Sequence, residues 1–137
     1  MATSRKLFVN LAVADLAKSI EFFTALGFAF DARFTDDSAT CMLVGEDASV
    51  MLLAEKRFQD FTTKAIAPAA THTEAILCVS AVSRAEVDEL VGKALAAGGS
   101  PSNDKMDHGF MYGWSFQDLD GHLWEVMYMD VSALEQE

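Results

Sequence analysis

The sequence predicts an α+β fold in which one supersecondary unit is used twice. Two observations carry that expectation. A strand, an amphipathic helix and three further strands fit residues 7–54, and the same order returns over residues 74–130. Both helices also carry start and stop signals: Asp15 and Ser83 as N-caps, Gly27 and the Gly98-Gly99 pair as terminators. Each helix should cover one face of its sheet and leave the other for a partner sheet or a cavity.

The elements follow in order. Leu7–Val13 is a short, mostly apolar strand. After Asp15, Leu16, Ile20, Phe23 and Leu26 recur at helical spacing. Phe28–Phe34 reads as a strand, Thr35–Ser38 as a turn, Ala39–Val44 and Ser49–Ala54 as strands, with Gly45-Glu46-Asp47 turning between them. Residues 55–73 read as a linker with helical turns around Phe58–Phe61. Glu74–Ser80 reopens the pattern as a strand. Ser83 and Glu86 form a capping box, in which each satisfies a free backbone donor of the other's segment. Val87, Leu90, Val91, Ala94 and Leu95 make an apolar helix face. A weak strand over Ser100–Met106, a strong one over Phe110–Gln117 and a last one over His122–Met129 complete the second unit. The acidic tail Val131–Glu137 is expected to be frayed or loosely docked.

Composition bounds the function. At 51% hydrophobic and 23% charged, 137 residues can bury a real core, and 1–137 is read as a single domain of two modules. The net charge of −11 argues against nucleic acid and anionic membrane surfaces as partners. No apolar run approaches the ~18 residues of a spanning helix. Arg5-Lys6 before Leu7–Ala14 has the charged start of a signal peptide, but Asn10 and Asp15 interrupt the run, which serves better as a strand. Cys41 and Cys78 form no Cys-x-x-Cys motif, and two free thiols without an export signal point to the cytoplasm.

The most informative stretch is Gln117–Asp130. Asp118-Leu119-Asp120-Gly121 is a turn, and in the strand after it Glu125 shares a face with Leu123, Met127 and Met129. A carboxylate on an apolar face needs a cation, a metal, a hydrogen-bond donor or a proton. Phe110, Tyr112, Trp114 and Phe116 share one face of the preceding strand; such a stripe is more often core than ligand site.

The repeated order, with Asn10–Phe28 at one end and Asp118–Glu125 at the other, resembles the vicinal oxygen chelate superfamily: glyoxalase I, bleomycin-resistance proteins and extradiol dioxygenases. Leu119 stands where proline is usual. The resemblance implies tandem βαβββ modules forming a curved sheet around a cleft, and commonly a homodimer. It also implies four metal-holding positions, which fall here on Phe8, near Leu52 (with Met51 as the one-residue alternative), on Glu74 and on Glu125. Phenylalanine and leucine cannot coordinate, so the reading is a small-molecule binder with no cofactor expected, or at most a weakly held Mg²⁺ or Mn²⁺ on Glu74 and Glu125, with His72 as a further donor. Extradiol chemistry, which needs two histidines and a carboxylate, is disfavoured. The expected ligand-binding set is Phe8, Asn10, Leu52, Tyr112, Trp114 and Met127, with Glu125 and Glu74 as acid–base candidates. The alternative is a lyase or isomerase of the lactoylglutathione lyase type using Glu125 as base. His108 and His122 read as solvent-facing polar residues.

Overall fold

The computed structural model describes residues 4–134. The chain divides into two compact units, Met1–Ala67 and Pro68–Glu137, so the boundary falls inside the 55–73 linker. Each unit is a mixed sheet with one long helix.

In the first unit β1 (Leu7–Val13), β2 (Ala29–Asp31), β3 (Ala39–Gly45) and β4 (Ala48–Ala54) take the spatial order β1-β4-β3-β2. β1 and β4 run parallel; the other pairs are antiparallel. Helix α1 (Leu16–Ala25) starts where the Asp15 carboxylate accepts from the Lys18 amide, and it buries Leu16, Ser19, Phe22 and Phe23. Strand alternation sends Leu11, Val13, Val50, Leu52 and Met42 into the core, all at most 8% exposed. Full burial of such side chains contributes about 1.5–3 kcal/mol each.

One expectation in this unit is corrected and one is extended. The strand foreseen over Phe28–Phe34 ends at Asp31, because the Asp31 carboxylate accepts from the Arg33 amide and guanidinium and caps a 3-10 turn over Ala32–Phe34. The linker begins directly as a helical turn, α2 (Glu55–Phe58), continued by a 3-10 turn over Gln59–Phe61.

In the second unit β5 (Ile76–Ser80), β6 (Ser100–Pro101), β7 (Met106–Asp107), β8 (Met111–Gln117) and β9 (Leu123–Met129) form a sheet of order β5-β9-β8-β6, with β7 also on β8. Helix α3 (Arg84–Ala96) buries Val87, Val91 and Ala94. Ser83 Oγ accepts from the Glu86 amide as foreseen, but Glu86 reaches back to the Val82 amide rather than to Ser83. Phe116 and Trp124 stack at 6.3 Å in the core beneath α3. The strand foreseen over Ser100–Met106 is broken into β6 and β7 by residues 102–105, where Ser115 Oγ takes the Asn103 amide. Of the C-terminal tail, Val131–Leu134 form a 3-10 turn; its last three residues lie outside those described.

The closing turn is built by Asp118, buried, whose carboxylate accepts from the Asp120 and His122 amides and from Trp124 Nε1. Burial pushes its carboxyl up, and the charge of His122 and these hydrogen bonds pull the other way. Gly121 sits at φ +95°, and a Cβ there would lie 2.8 Å from the Ala69 carbonyl oxygen. Only glycine lets the linker pass so close.

Candidate functional site

The two units share one register. Asn10 lies five residues ahead of the Asp15 cap and pairs with Met51; Cys78 lies five ahead of the Ser83 cap and pairs with Glu125. Met51 is thus the first-unit counterpart of Glu125. By the same count the counterpart of Phe8 is Ile76, not Glu74. These correspondences move the predicted site.

Glu125 is half-buried on the face of the second sheet away from α3, with Cys78 beside it on β5 and Ser115 beside it on β8. Among the described residues its carboxylate has neither a hydrogen bond nor an ion pair. Cys78 is exposed, yet partial desolvation and then the Glu125 charge push its thiol up, so it stays protonated at neutral pH. Met127 pairs with Gly113, and its Sδ would stand 2.7 Å from a Cβ at that position, so the missing side chain is what lets the thioether lie over β8. A shallow hollow, open to solvent, is bordered by Asn103, Asp104, Met106, Gly113, Trp114, Ser115, Glu125 and Met127.

Several predicted residues lie elsewhere. Glu74 is exposed at a bend before β5, which begins at Ile76, so it lies outside the ladder that sets Cys78 beside Glu125. The β5–β9 register therefore does not bring Glu74 beside Glu125. His72 is exposed, its Nδ1 2.8 Å from Thr71 Oγ1 and its amide bonded to the Pro68 carbonyl. Leu52 is fully buried on the α1 side, which excludes it as a lining residue and leaves Met51 on the open face. Phe8 is 50% exposed on that same face of the first sheet, with Asn10 next to it donating to the Phe8 carbonyl.

In the aromatic stripe Tyr112 and Phe116 are buried and Trp114 borders the hollow. Ser115, not Tyr112 or Trp114, stands opposite Glu125, so the stripe looks towards α3. Tyr112 Oη donates to Asp88 Oδ1 at 2.7 Å, and the Trp114 ring, though its residue borders the hollow, carries Lys105 Nζ 4.7 Å from its centroid. Met127 remains where expected. Asp104, Met106, Gly113, Ser115 and Cys78 join Glu125 and Met127 on this face without standing in the expected set. An offset count from the two helix caps would have found Cys78; an isolated glycine between aromatic residues was the signal for Gly113.

These donors do not fit the divalent metal implied by the resemblance. At the corresponding positions stand Phe8, Met51, Ile76 and Glu125: one carboxylate, one thioether and two hydrocarbons, where a stable site needs three or four nitrogen, oxygen or thiolate donors. Among the described residues no group of three or more His, Cys, Asp and Glu side chains comes together as a metal site.

A duplicated strand–helix–strand–strand–strand sheet with a carboxylate on its open face defines a class, and comparison with known proteins agrees. Residues 7–126 match the Glyoxalase/Bleomycin resistance protein/Dioxygenase superfamily, and the chain belongs to it. Its fold is similar to that of a hypothetical protein from S. aureus, 28% identical, over 93% of this chain and 95% of that one (TM-score 0.78). It is also similar to a glyoxalase-related enzyme from Fulvimarina pelagi, 19% identical over 92% and 88% (TM-score 0.77), and to a lactoylglutathione lyase from Agrobacterium tumefaciens, 17% identical over 96% and 98% (TM-score 0.67). No curated protein matches the chain. Among the described residues no helix is long and apolar enough to cross a membrane.

Proposed function

We propose that this chain binds a small organic molecule bearing a cationic group on the Glu125 face of its second module, without the family's usual transition-metal site. One observation carries the reading: Glu125 stands on a half-buried face among Met106, Met127 and Gly113 with no partner among the described residues. A carboxylate so placed favours an incoming cation. The module's Arg84 and Lys105 are engaged elsewhere, by Asp107 and Asp88. Asp104 borders the same hollow as a second carboxylate. Thioether walls adapt to flat apolar groups, and the net charge of −11 draws basic ligands. The hollow is too shallow to enclose a ligand, so this face serves as anchor and one wall of a larger site. The protein acts as a homodimer in the cytoplasm, a compartment consistent with the free thiols Cys41 and Cys78.

Titration with benzylamine and with its neutral isostere benzyl alcohol, read at the Met106 and Met127 methyl signals, tests this. The cation is expected to bind roughly tenfold tighter, the usual worth of a charged hydrogen bond; equal affinities would sink the reading.

A second reading, a lyase or isomerase of the lactoylglutathione lyase type with Glu125 as base, is favoured by the second carboxylate, Asp104, on the same hollow. Turnover of a glutathione hemithioacetal, together with Mg²⁺ or Mn²⁺ retained through dialysis, would establish it over binding alone.

A further inference from the structure

The segment 103–109 runs along the edge of β8, and its side chains alternate between the two faces of the sheet. Met106 pairs with Gly113 and Asp107 with Tyr112. Asp104 and Met106 border the Glu125 hollow. Lys105 and Asp107 turn to the opposite side, where α3 lies. There Arg84, the first residue of α3, donates from one guanidinium nitrogen to Asp107 Oδ2 and from the other to the Gly109 carbonyl, both at 2.7 Å, and lies 5.1 Å from the centroid of the Tyr112 ring. Lys105 Nζ is 3.4 Å from Asp88 Oδ1, the oxygen that also accepts from Tyr112 Oη, and packs on the Trp114 ring. On the hollow side the segment is held by the Asn103 amide donating to Ser115 Oγ at 2.8 Å.

We propose that residues 103–109 are a strap forming one wall of the Glu125 hollow, and that Arg84 and Lys105 are positioning residues that hold it from the far face of the sheet. The two-residue β7 is too short to fix the segment alone. The guanidinium fork supplies what β7 lacks, because it grips a side chain and a backbone carbonyl two residues apart and so sets the path of the chain on either side of them. Every ion pair in the clasp is exposed, so each is individually weak and screened by salt. The strap can therefore lift while the sheet stays folded. What the strap encloses rests on the reading of Glu125 given above; how it is held does not.

Amide exchange and methionine-methyl NMR on the whole protein test the clasp without any ligand. Arg84→Ala is expected to speed exchange across 103–109 by roughly tenfold while β8, β9 and the interior of α3 keep their protection. It should also shift the Met106 and Met127 methyl signals, which lie on the other face, and leave that of Met42 in place. Arg84→Lys, which keeps the charge but loses the fork, should recover only part of both effects. Lys93→Ala, which breaks the Lys93–Glu89 pair on α3 away from the strap, should change neither. Unchanged exchange at 103–109, unmoved Met106 and Met127 signals in Arg84→Ala, or equal effects from Lys93→Ala would overturn the proposal. A failure of benzylamine to bind would instead count against the ligand reading and leave the strap standing.

Discussion

The two modules follow one plan and differ on one face. In both, a strand runs parallel beside the last strand, a helix covers one side, and core positions fall at the same distance from the helix cap. On the helix side the substitutions conserve burial: Val50 and Leu52 in one module, Trp124 and Val126 in the other. On the open side they do not conserve chemistry. Asn10 and Met51 become Cys78 and Glu125, Cys41 becomes Ser115, and Ala39 becomes Gly113. The short second strand of the first module, β2, is replaced by β6, β7 and the clasped strap. Packing tolerates only apolar side chains of fitting volume and so keeps the helix faces alike; Asn10, Met51, Cys78 and Glu125 are partly or fully exposed and escape that constraint, and there the second module carries the carboxylate.

That comparison can be broken most severely at the turns leading into the last strand. Gly121→Ala forces a left-handed residue and drives a Cβ into the Ala69 backbone, so denaturant unfolding should show a loss of about 3 kcal/mol. Gly45, in the corresponding turn of the first module, has no positive φ and nothing near its Cβ position, so Gly45→Ala should stay within about 0.5 kcal/mol. Equal losses would mean the two turns are constrained alike. A smaller effect is expected at Gly113→Ala. Its Cβ meets the flexible end of Met127 rather than backbone, so the cost should be about 1 kcal/mol, with the Met127 methyl signal displaced.

The fold was legible because its signals are local. Caps at Asp15 and Ser83, stops at Gly27 and Gly98 and the Asp118–Gly121 turn each act within a few residues, and all form as read. The site was only partly legible. That Glu125 and Met127 share a face follows from strand alternation, which depends on one strand, and both border the hollow. Glu74 was misplaced because a strand's first residue is set by pairing with a distant partner, and β5 joins β9 only from Ile76 onward. Tyr112 falls in the expected ligand-binding set because alternation says which residues share a face but not which face meets the helix; Asp88, 24 residues away from Tyr112, decides that. Asp104 was hidden in a segment whose path depends on Arg84 and Ser115.

Acid titration gives the mildest contrast between modules. Burial raises the Asp118 carboxyl above the ordinary aspartate value. Its ionisation therefore opposes folding: the penalty is absent below the unfolded value, grows as pH rises through the window up to the folded one, and is constant above it. In the first module the Arg33 side chain lowers Asp31, and the Ser38 amide lowers Asp36. Those groups contribute stability that is present above the unfolded aspartate value and lost as pH falls through their folded ones. Carboxyl-carbon NMR should find Asp118 titrating above both; the reverse order would refute the assignment.

The central claim is that binding rests on Glu125 and not on the pair it was first expected to form. Benzylamine affinity of Glu125→Gln and Glu74→Gln, measured side by side with the parent protein, tests it most directly. The account predicts a loss of roughly tenfold or more for Glu125→Gln and parent-like affinity for Glu74→Gln. Parent-like binding by Glu125→Gln, or an equal loss in both variants, would contradict it.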